Sequence, residues 1–258
     1  MRVITCNTRD SAARKDGDNH WTHRHAFVAQ VLRAREPDLI GFQEVREDQF
    51  RDLRAAFPEY EWTGLTDRPE GRDPFDAIFY RADAFDRIAS GGYWLSQTPH
   101  VPGTKSWDSS CVRQANWVRL VLRATGVEFR LVNTHLDHVG QTAREQQARL
   151  LCEDAAAYPP DYPQILTGDM NCAETNPAMG CFWGSGWRDT HEAVHGVRET
   201  GFTFHGFLGE QYLEKGGRID WILTRGRVRA TDAQVIRDQR DGRFPSDHYF
   251  VSADIELA

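Results

Sequence analysis

The chain predicts an α/β fold of the α+β kind, a sandwich of two β-sheets flanked by helices. Three observations carry this. Strand-like segments recur in both halves of the 258 residues, amphipathic helices separate some of them, and the middle of the chain strings strands in series. A single wound sheet would keep strand and helix alternating throughout. No internal repeat, low-complexity stretch or polar linker divides the sequence, so residues 1–258 are read as one domain.

Residues 1–8 read as a first strand ending at Asn7, and a polar loop follows from Asp10 to His20. A helix over about 22–35 places Phe27, Val31 and Ala34 on one face with Val28 and Leu32 beside them, and Pro37 ends it. The second strand, Asp38 to Val45, carries Glu44 near its far end, and a helix over about 46–56 stops before Pro58. Strands then come in series at 77–80, 85–95, 116–122 and 129–134. The long loop 96–113 between two of them holds Trp107 and Arg113, and loops of that length tend to be functional.

Gly140 precedes a long helix over about 141–156, closed by Pro159-Pro160. The apolar run Ile165-Leu166 lies between Pro163 and Gly168 as a buried strand does, so Asp169 and Asn171 fall where that strand ends. A short helix near 177–184 and an irregular region to about 215 come next. Strands at 218–223, 228–236 and 248–255 complete the chain.

Composition narrows the class. The chain is 40% hydrophobic with eight Trp and fourteen Phe, enough for a substantial core. Every apolar run falls far short of the ~18 residues a membrane helix requires. Met1-Arg2-Val3-Ile4 enters a strand directly, without leader features, so a cytoplasmic protein is expected. Cys6, Cys111, Cys152, Cys172 and Cys181 are odd in number and lack a Cys-x-x-Cys, which argues for reduced, mostly buried thiols. The net charge of −7 disfavours sequence-independent binding to duplex DNA, which leans on a basic surface.

Polar groups gather at the strand margins. Asn7, Glu44, His135 and Asp169 lie at or just past the C-terminal ends of four predicted strands, and Asp247-His248 opens the last one. With antiparallel neighbours, the end of one strand and the start of the next share a rim, so these groups can meet in one cleft. Each has a plainer explanation alone: Glu44 as a helix-terminal acid, Asp247 and Asp169 as turn acids. Asp220 is harder to explain that way, because a carboxylate inside the apolar run Ile219-Asp220-Trp221-Ile222 is costly without a partner, and a histidine suits.

These residues carry a family resemblance. Asn7, Gln43-Glu44-Val45, Asn133-Thr134-His135-Leu136-Asp137-His138, Gly168-Asp169-Met170-Asn171, Arg218-Ile219-Asp220-Trp221 and Ser246-Asp247-His248 occur in the order and rough spacing of the endonuclease/exonuclease/phosphatase superfamily. The resemblance runs from residue 1 to about 254, and its wording looks closest to small bacterial members resembling deadenylases and nocturnin. It implies a DNase-like, four-layer sandwich of two mixed sheets between helices. It also implies a phosphoesterase that uses Mg²⁺ or Mn²⁺, hard cations suited to oxygen ligands.

By resemblance Glu44 is the central metal ligand, with Asn7 beside it and Asp247 contributing. Asp169 orients or deprotonates the attacking water, Asn171 donates to the phosphoryl group, and His135 together with His248, held by Asp220, stabilises the transition state. Both histidines are present, as in the hydrolase and DNase-like branches. Many relatives place a Glu before the Ile78-Phe79-Tyr80-Arg81 strand to pair with the histidine matching His135; here Asp76 or Asp73 stands in that region.

The implied activity is hydrolysis of a phosphodiester, in single-stranded nucleic acid or a small molecule. Alternatives are a phosphomonoesterase acting on a sugar or inositol phosphate or a nucleotide, and a sphingomyelinase-like head-group hydrolase. Arg113, His205 and Trp107 are candidate substrate contacts, the first for phosphate and the last for stacking, as is Trp21; His20, His23 and His25 read as solvent-facing. Two readings come from other classes. One is a catalytically silent binding module, disfavoured by retention of every matched site residue. The other is a zinc peptidase through His191-Glu192-Ala193-Val194-His195, disfavoured by Gly196 and the sparse apolar sequence around it.

Overall fold

The computed structural model describes residues 1–65, 76–197, 201–214 and 216–258. Twelve strands and five α-helices are found among them. The first half runs β1 (Arg2–Asn7), α1 (Trp21–Arg33), β2 (Leu39–Gln43), α2 (Glu47–Ala56), β3 (Tyr60–Thr63), β4 (Ile78–Arg81), β5 (Phe85–Trp94) and β6 (Gln114–Leu122). The second runs β7 (Val127–His135), α3 (Gln141–Ala156), β8 (Gln164–Asp169), α4 (Pro177–Gly184), β9 (Arg188–Asp189), α5 (Thr190–His195), β10 (Asp220–Arg225), β11 (Val228–Ile236) and β12 (Phe250–Leu257).

Two mixed sheets of six strands form, ordered β11-β12-β1-β2-β4-β3 and β5-β6-β7-β8-β10-β9. Each contains one parallel pair joined through a helix: β1 and β2 by way of α1, β7 and β8 by way of α3. Every other named pair is antiparallel, as short connections allow. The two sheets pack face to face over Val3, Leu39, Val118, Leu131, Ile165 and Val251. The outer face of the first sheet is covered by Val28, Val31, Leu32 and Leu53 of α1 and α2. Ala148, Leu151, Met179 and Phe182 of α3 and α4 cover the other.

The order of layers is therefore helix, sheet, sheet, helix. No helix among the described residues is long and apolar enough to cross a membrane. All five cysteines are free, four of them buried or half-buried and Cys111 exposed.

This topology explains why polar groups at strand margins converge. The parallel pairs bring the C-terminal ends of β1 with β2, and of β7 with β8, to the same edge, where open α/β sheets place their crevices. Antiparallel pairing adds two strand beginnings: Asp220 opens β10 opposite Asp169 of β8, and β12 begins beside the end of β1. Across the sandwich, Gln43 Nε2 donates to Asn133 Oδ1 at 2.7 Å and to Thr5 Oγ1 at 3.0 Å, and Thr167 Oγ1 donates to Asn133 Oδ1 at 3.0 Å. Asn133 Nδ2 donates to the Phe42 carbonyl at 2.7 Å. These buried polar groups are satisfied by one another and tie the sheets together just below the crevice.

Candidate active site

The crevice is a cleft of about 530 Å³ whose lining includes Arg9, Glu44, Arg113, His135, Asp169, Asn171, Asp247 and His248. At its floor, His248 Nδ1 donates to Asp220 Oδ2 at 2.9 Å, while His248 Nε2 lies 3.8 Å from Asp169 Oδ2. His135 Nε2 is 3.4 Å from that same Asp169 oxygen. Asp169 Oδ2 also accepts from Asn7 Nδ2 at 3.0 Å, and Oδ1 accepts from the Asn171 backbone N–H at 2.8 Å. Asp169 is thus the hub on which Asn7, His135, Asn171 and His248 converge.

Three cleft residues reach their positions through unusual backbone. Arg9, Glu44 and Asn171 have φ of 58°, 62° and 50°, the left-handed region that side chains other than glycine rarely enter. For Asn171 the cost is small; for Glu44 it is greater, and such conformations persist where the surroundings over-determine them. The Glu44 carboxylate accepts from the Asp10 N–H at 2.8 Å and from Asn7 Nδ2 at 3.3 Å, which fixes it on the cleft wall.

Electrostatics divide the groups. Burial would strip His248 of its proton, but the charge and hydrogen bond of Asp220, with Asp169 and Asp247, raise it to about 10. His135 goes the other way: burial, then the Arg113 charge, hold it well below the ordinary histidine range. Burial, then the Asp220 charge, push Asp169 up to about 7, against the opposing pull of His248. The site pairs an imidazolium with a neutral imidazole across a carboxyl group poised near neutrality, the spread that acid–base work requires.

Glu44 and Asp247, both lining the cleft, could hold a hard cation. Asp247 is buried, and burial together with the Glu44 charge raises its carboxyl above the usual range, so these two carboxylates repel where a cation would satisfy both. The nearest cationic atom to Asp247 is Arg9 Nε at 3.5 Å. Asn7 turns its Nδ2 toward Glu44 and Asp169 while its Oδ1 accepts from the Arg9 N–H at 2.9 Å; as oriented, the amide is a donor between two carboxylates and not an oxygen ligand. A second metal-capable cluster gathers Asp169, Asp220 and His248 deeper in the cleft.

Other sequence candidates are placed elsewhere. His205 is fully buried behind the site between the rings of Phe244 and Tyr249, and it is not among the cleft-lining residues. Trp107, with φ of 59°, is half-buried and also off the cleft wall. Trp21 packs in the core and donates from Nε1 to Asp52 Oδ2 at 2.9 Å, and His20 caps α1 by accepting from the Thr22 N–H. Asp76 is buried with Oδ1 unpartnered, as is His135 Nδ1, and no ion pair joins them among the described residues; Asp73 lies outside those residues.

His191 and His195 do share a helix, but His195 Nε2 donates to the Ala233 carbonyl at 2.8 Å. Neither belongs to the two three-residue metal-capable clusters found among the described residues, Asp169 with Asp220 and His248, and Cys111 with Asp137 and His138. Sequence reasoning missed Arg9, two residues past Asn7, which is tied to Asp16 at 2.8 Å and lines the cleft. Its only signal was its place after a strand end.

The chain belongs to the Endonuclease/Exonuclease/phosphatase family, whose model matches residues 5–248. Over 92% of its length it is 28% identical to nocturnin of Drosophila melanogaster, of which it spans 42%. Among solved structures, the endonuclease/exonuclease/phosphatase from Bacteroides vulgatus superposes with a TM-score of 0.91 at 32% identity, covering 100% of this chain and 98% of that one. The mannosyl-6-phosphatase of Bacteroides thetaiotaomicron is 31% identical with a TM-score of 0.88, covering 100% of both chains.

Proposed function

We propose that the protein is a divalent-metal-dependent phosphoester hydrolase that works by in-line attack of water. The observation that carries this is the convergence of Asp169, Asn171, His135 and the His248–Asp220 pair in one cleft with Glu44 and Asp247. Glu44 and Asp247, with the Asn7 amide alongside, would hold Mg²⁺ or Mn²⁺, which would supply neutralisation of the negative charge on the phosphoryl group. Asp169 takes the proton of the attacking water as its oxygen bonds to phosphorus. His248, kept charged by Asp220, and Asn171 donate to the non-bridging oxygens as the P–O ester bond breaks and the leaving oxygen departs as an alcohol, taking its proton from solvent. His135, whose Nε2 lies 3.4 Å from the same Asp169 oxygen, stabilises the pentavalent state beside it.

The ester class has two readings. The motif wording supports a phosphodiesterase acting on a small diester or single-stranded nucleic acid, with duplex DNA disfavoured by the net charge of −7. Full-length similarity to a mannosyl-6-phosphatase favours a phosphomonoesterase acting on a sugar phosphate. Free cysteines and an acidic composition suit a cytoplasmic enzyme.

The purified enzyme should hydrolyse a phosphoester with Mg²⁺ or Mn²⁺ and lose activity in EDTA. The Asp169→Asn variant should lower kcat by about 10³-fold with circular dichroism unchanged, as loss of a central acid–base group does. Full activity in that variant would sink the mechanism.

A further inference from the structure

Arg113 is the one cleft-lining arginine among the described residues whose guanidinium makes no hydrogen bond to a carboxylate. Its side chain is 8% exposed, its Nε has no hydrogen-bond partner, and the nearest carboxylate oxygen, Asp137 Oδ2, is 3.9 Å away. That oxygen already accepts from Ser109 Oγ, Ser110 N, Ser110 Oγ and Cys111 N. Arg9, the other arginine of the lining, is tied to Asp16 through two hydrogen bonds. A buried guanidinium left in this state is costly unless an anion completes it.

The surroundings hold Arg113 in place for such an anion. Asp137 accepts six hydrogen bonds in all, counting Val139 N and Gly140 N on Oδ1, and so pins the 109–111 turn that leads into Arg113. The Leu95 N–H donates to the Arg113 carbonyl at 2.7 Å. Arg113 Nη2 donates to His138 Nδ1 at 3.2 Å, which leaves His138 no role there but acceptor and fixes its Nε2–H tautomer. Arg113 lies on the His135 side of the cleft, since after burial its charge is the largest influence on the His135 ring.

We infer that Arg113 selects a phosphate monoester dianion over a diester, by donating to the non-bridging oxygen that a diester would carry as an alkyl ester. The inference rests on the phosphoester reading above. A monoester presents three charged oxygens: the cation and the His248–Asn171 side satisfy two, and the third needs a buried positive partner. In a diester that third position bears carbon, so Arg113 would be left facing an apolar group. An arginine is suited to this because its fork meets phosphate oxygens with fixed geometry and cannot discharge itself.

The test uses 4-nitrophenyl phosphate and methyl 4-nitrophenyl phosphate, which differ by one methyl group, with Mn²⁺ and the full-length enzyme. Wild type should prefer the monoester. Arg113→Met should lower monoester kcat/KM by about 100-fold, as loss of a charge-assisted hydrogen bond does, and diester kcat/KM by far less, with far-ultraviolet circular dichroism as the control for folding. Arg113→Lys should fall between, and it carries the reading if the Met variant does not fold. Competitive inhibition by inorganic phosphate should weaken in step with the monoester loss, a readout that stands even where the diester is not turned over. Equal losses on both esters, or a wild type that hydrolyses only the diester, would overturn the inference and leave the phosphoesterase reading intact. A wild type inert on both would overturn that reading and the inference with it.

Discussion

His205 and His248 lie close together and titrate in opposite directions because of what faces each ring. His248 has Asp220 at 2.9 Å and keeps its proton to about pH 10. His205 has the rings of Phe244 and Tyr249, accepts from the Gly209 N–H at 3.3 Å, and leaves Nε2 unpartnered; burial and the nearby His248 charge lower it to about 3. The unfolded chain therefore binds a proton at His205 that the folded chain refuses between about pH 6.5 and 3. Stability contributed by the neutral ring is intact above that window and is lost as pH falls through it, at up to about 1.4 kcal/mol per pH unit. His205→Phe keeps a ring in the slot without the titration. Urea unfolding at pH 7 and pH 4.5 should show wild type losing about 2 kcal/mol more than the variant across that interval. Parallel losses would mean His205 is protonated in the fold.

At the scale of elements, the closeness of the sheets decides the site. Gly41 of β2 faces Asn133 of β7 and Thr167 of β8, and a Cβ there would fall inside contact distance of Thr167 Oγ1 and Asn133 Oδ1. Gly41→Ala should destabilise by about 1–3 kcal/mol, as overpacking does. It should also lower kcat, because β2 leads to Glu44 and β7 ends at His135. Urea midpoints and kcat measured on one preparation check both, and a variant with full stability and full activity would show that the sheets have slack.

Legibility from sequence followed the same physics. Strands buried on both faces, such as β8, which follows Pro163 and runs on through Gly168 to Asp169, announce themselves as bounded apolar runs, and the polar residue ending each run marks the crevice. β3 did not, because Tyr60–Thr63 is a four-residue edge strand whose apolar face is only the half-buried Tyr60 and Trp62. Nor did α5, which Asp189 caps at one end and Gly196 closes at the other in six residues that present no apolar stripe. The roles of His205 and Trp107 were misplaced for a related reason. Both sit in loops, where spacing carries no information about which way a side chain faces.

For the whole molecule, cation binding and stability are linked through the same carboxylates. Glu44 comes from the end of β2 and Asp247 from the approach to β12, and the Glu44 charge helps raise the Asp247 carboxyl, so the cation-free fold carries a repulsion between two of its elements. A cation that binds only the folded chain stabilises it by about 2.7 kcal/mol at a hundredfold excess over Kd. For a chain of this size that raises Tm by about 5–10 °C. The inter-sheet core joins both sheets, so we expect one unfolding transition, with tryptophan fluorescence and far-ultraviolet circular dichroism moving together. Glu44→Gln keeps the shape and the acceptor for the Asp10 N–H while removing the charge. The variant should lose the Mn²⁺-induced rise in Tm and, without cation, melt at or above the temperature of cation-free wild type, since the repulsion is gone. A variant that keeps the Mn²⁺ shift would move the cation to the deeper cluster of Asp169, Asp220 and His248. One that loses the shift but melts well below cation-free wild type would mean that the Glu44 charge stabilises the fold through its N–H donors more than it strains it.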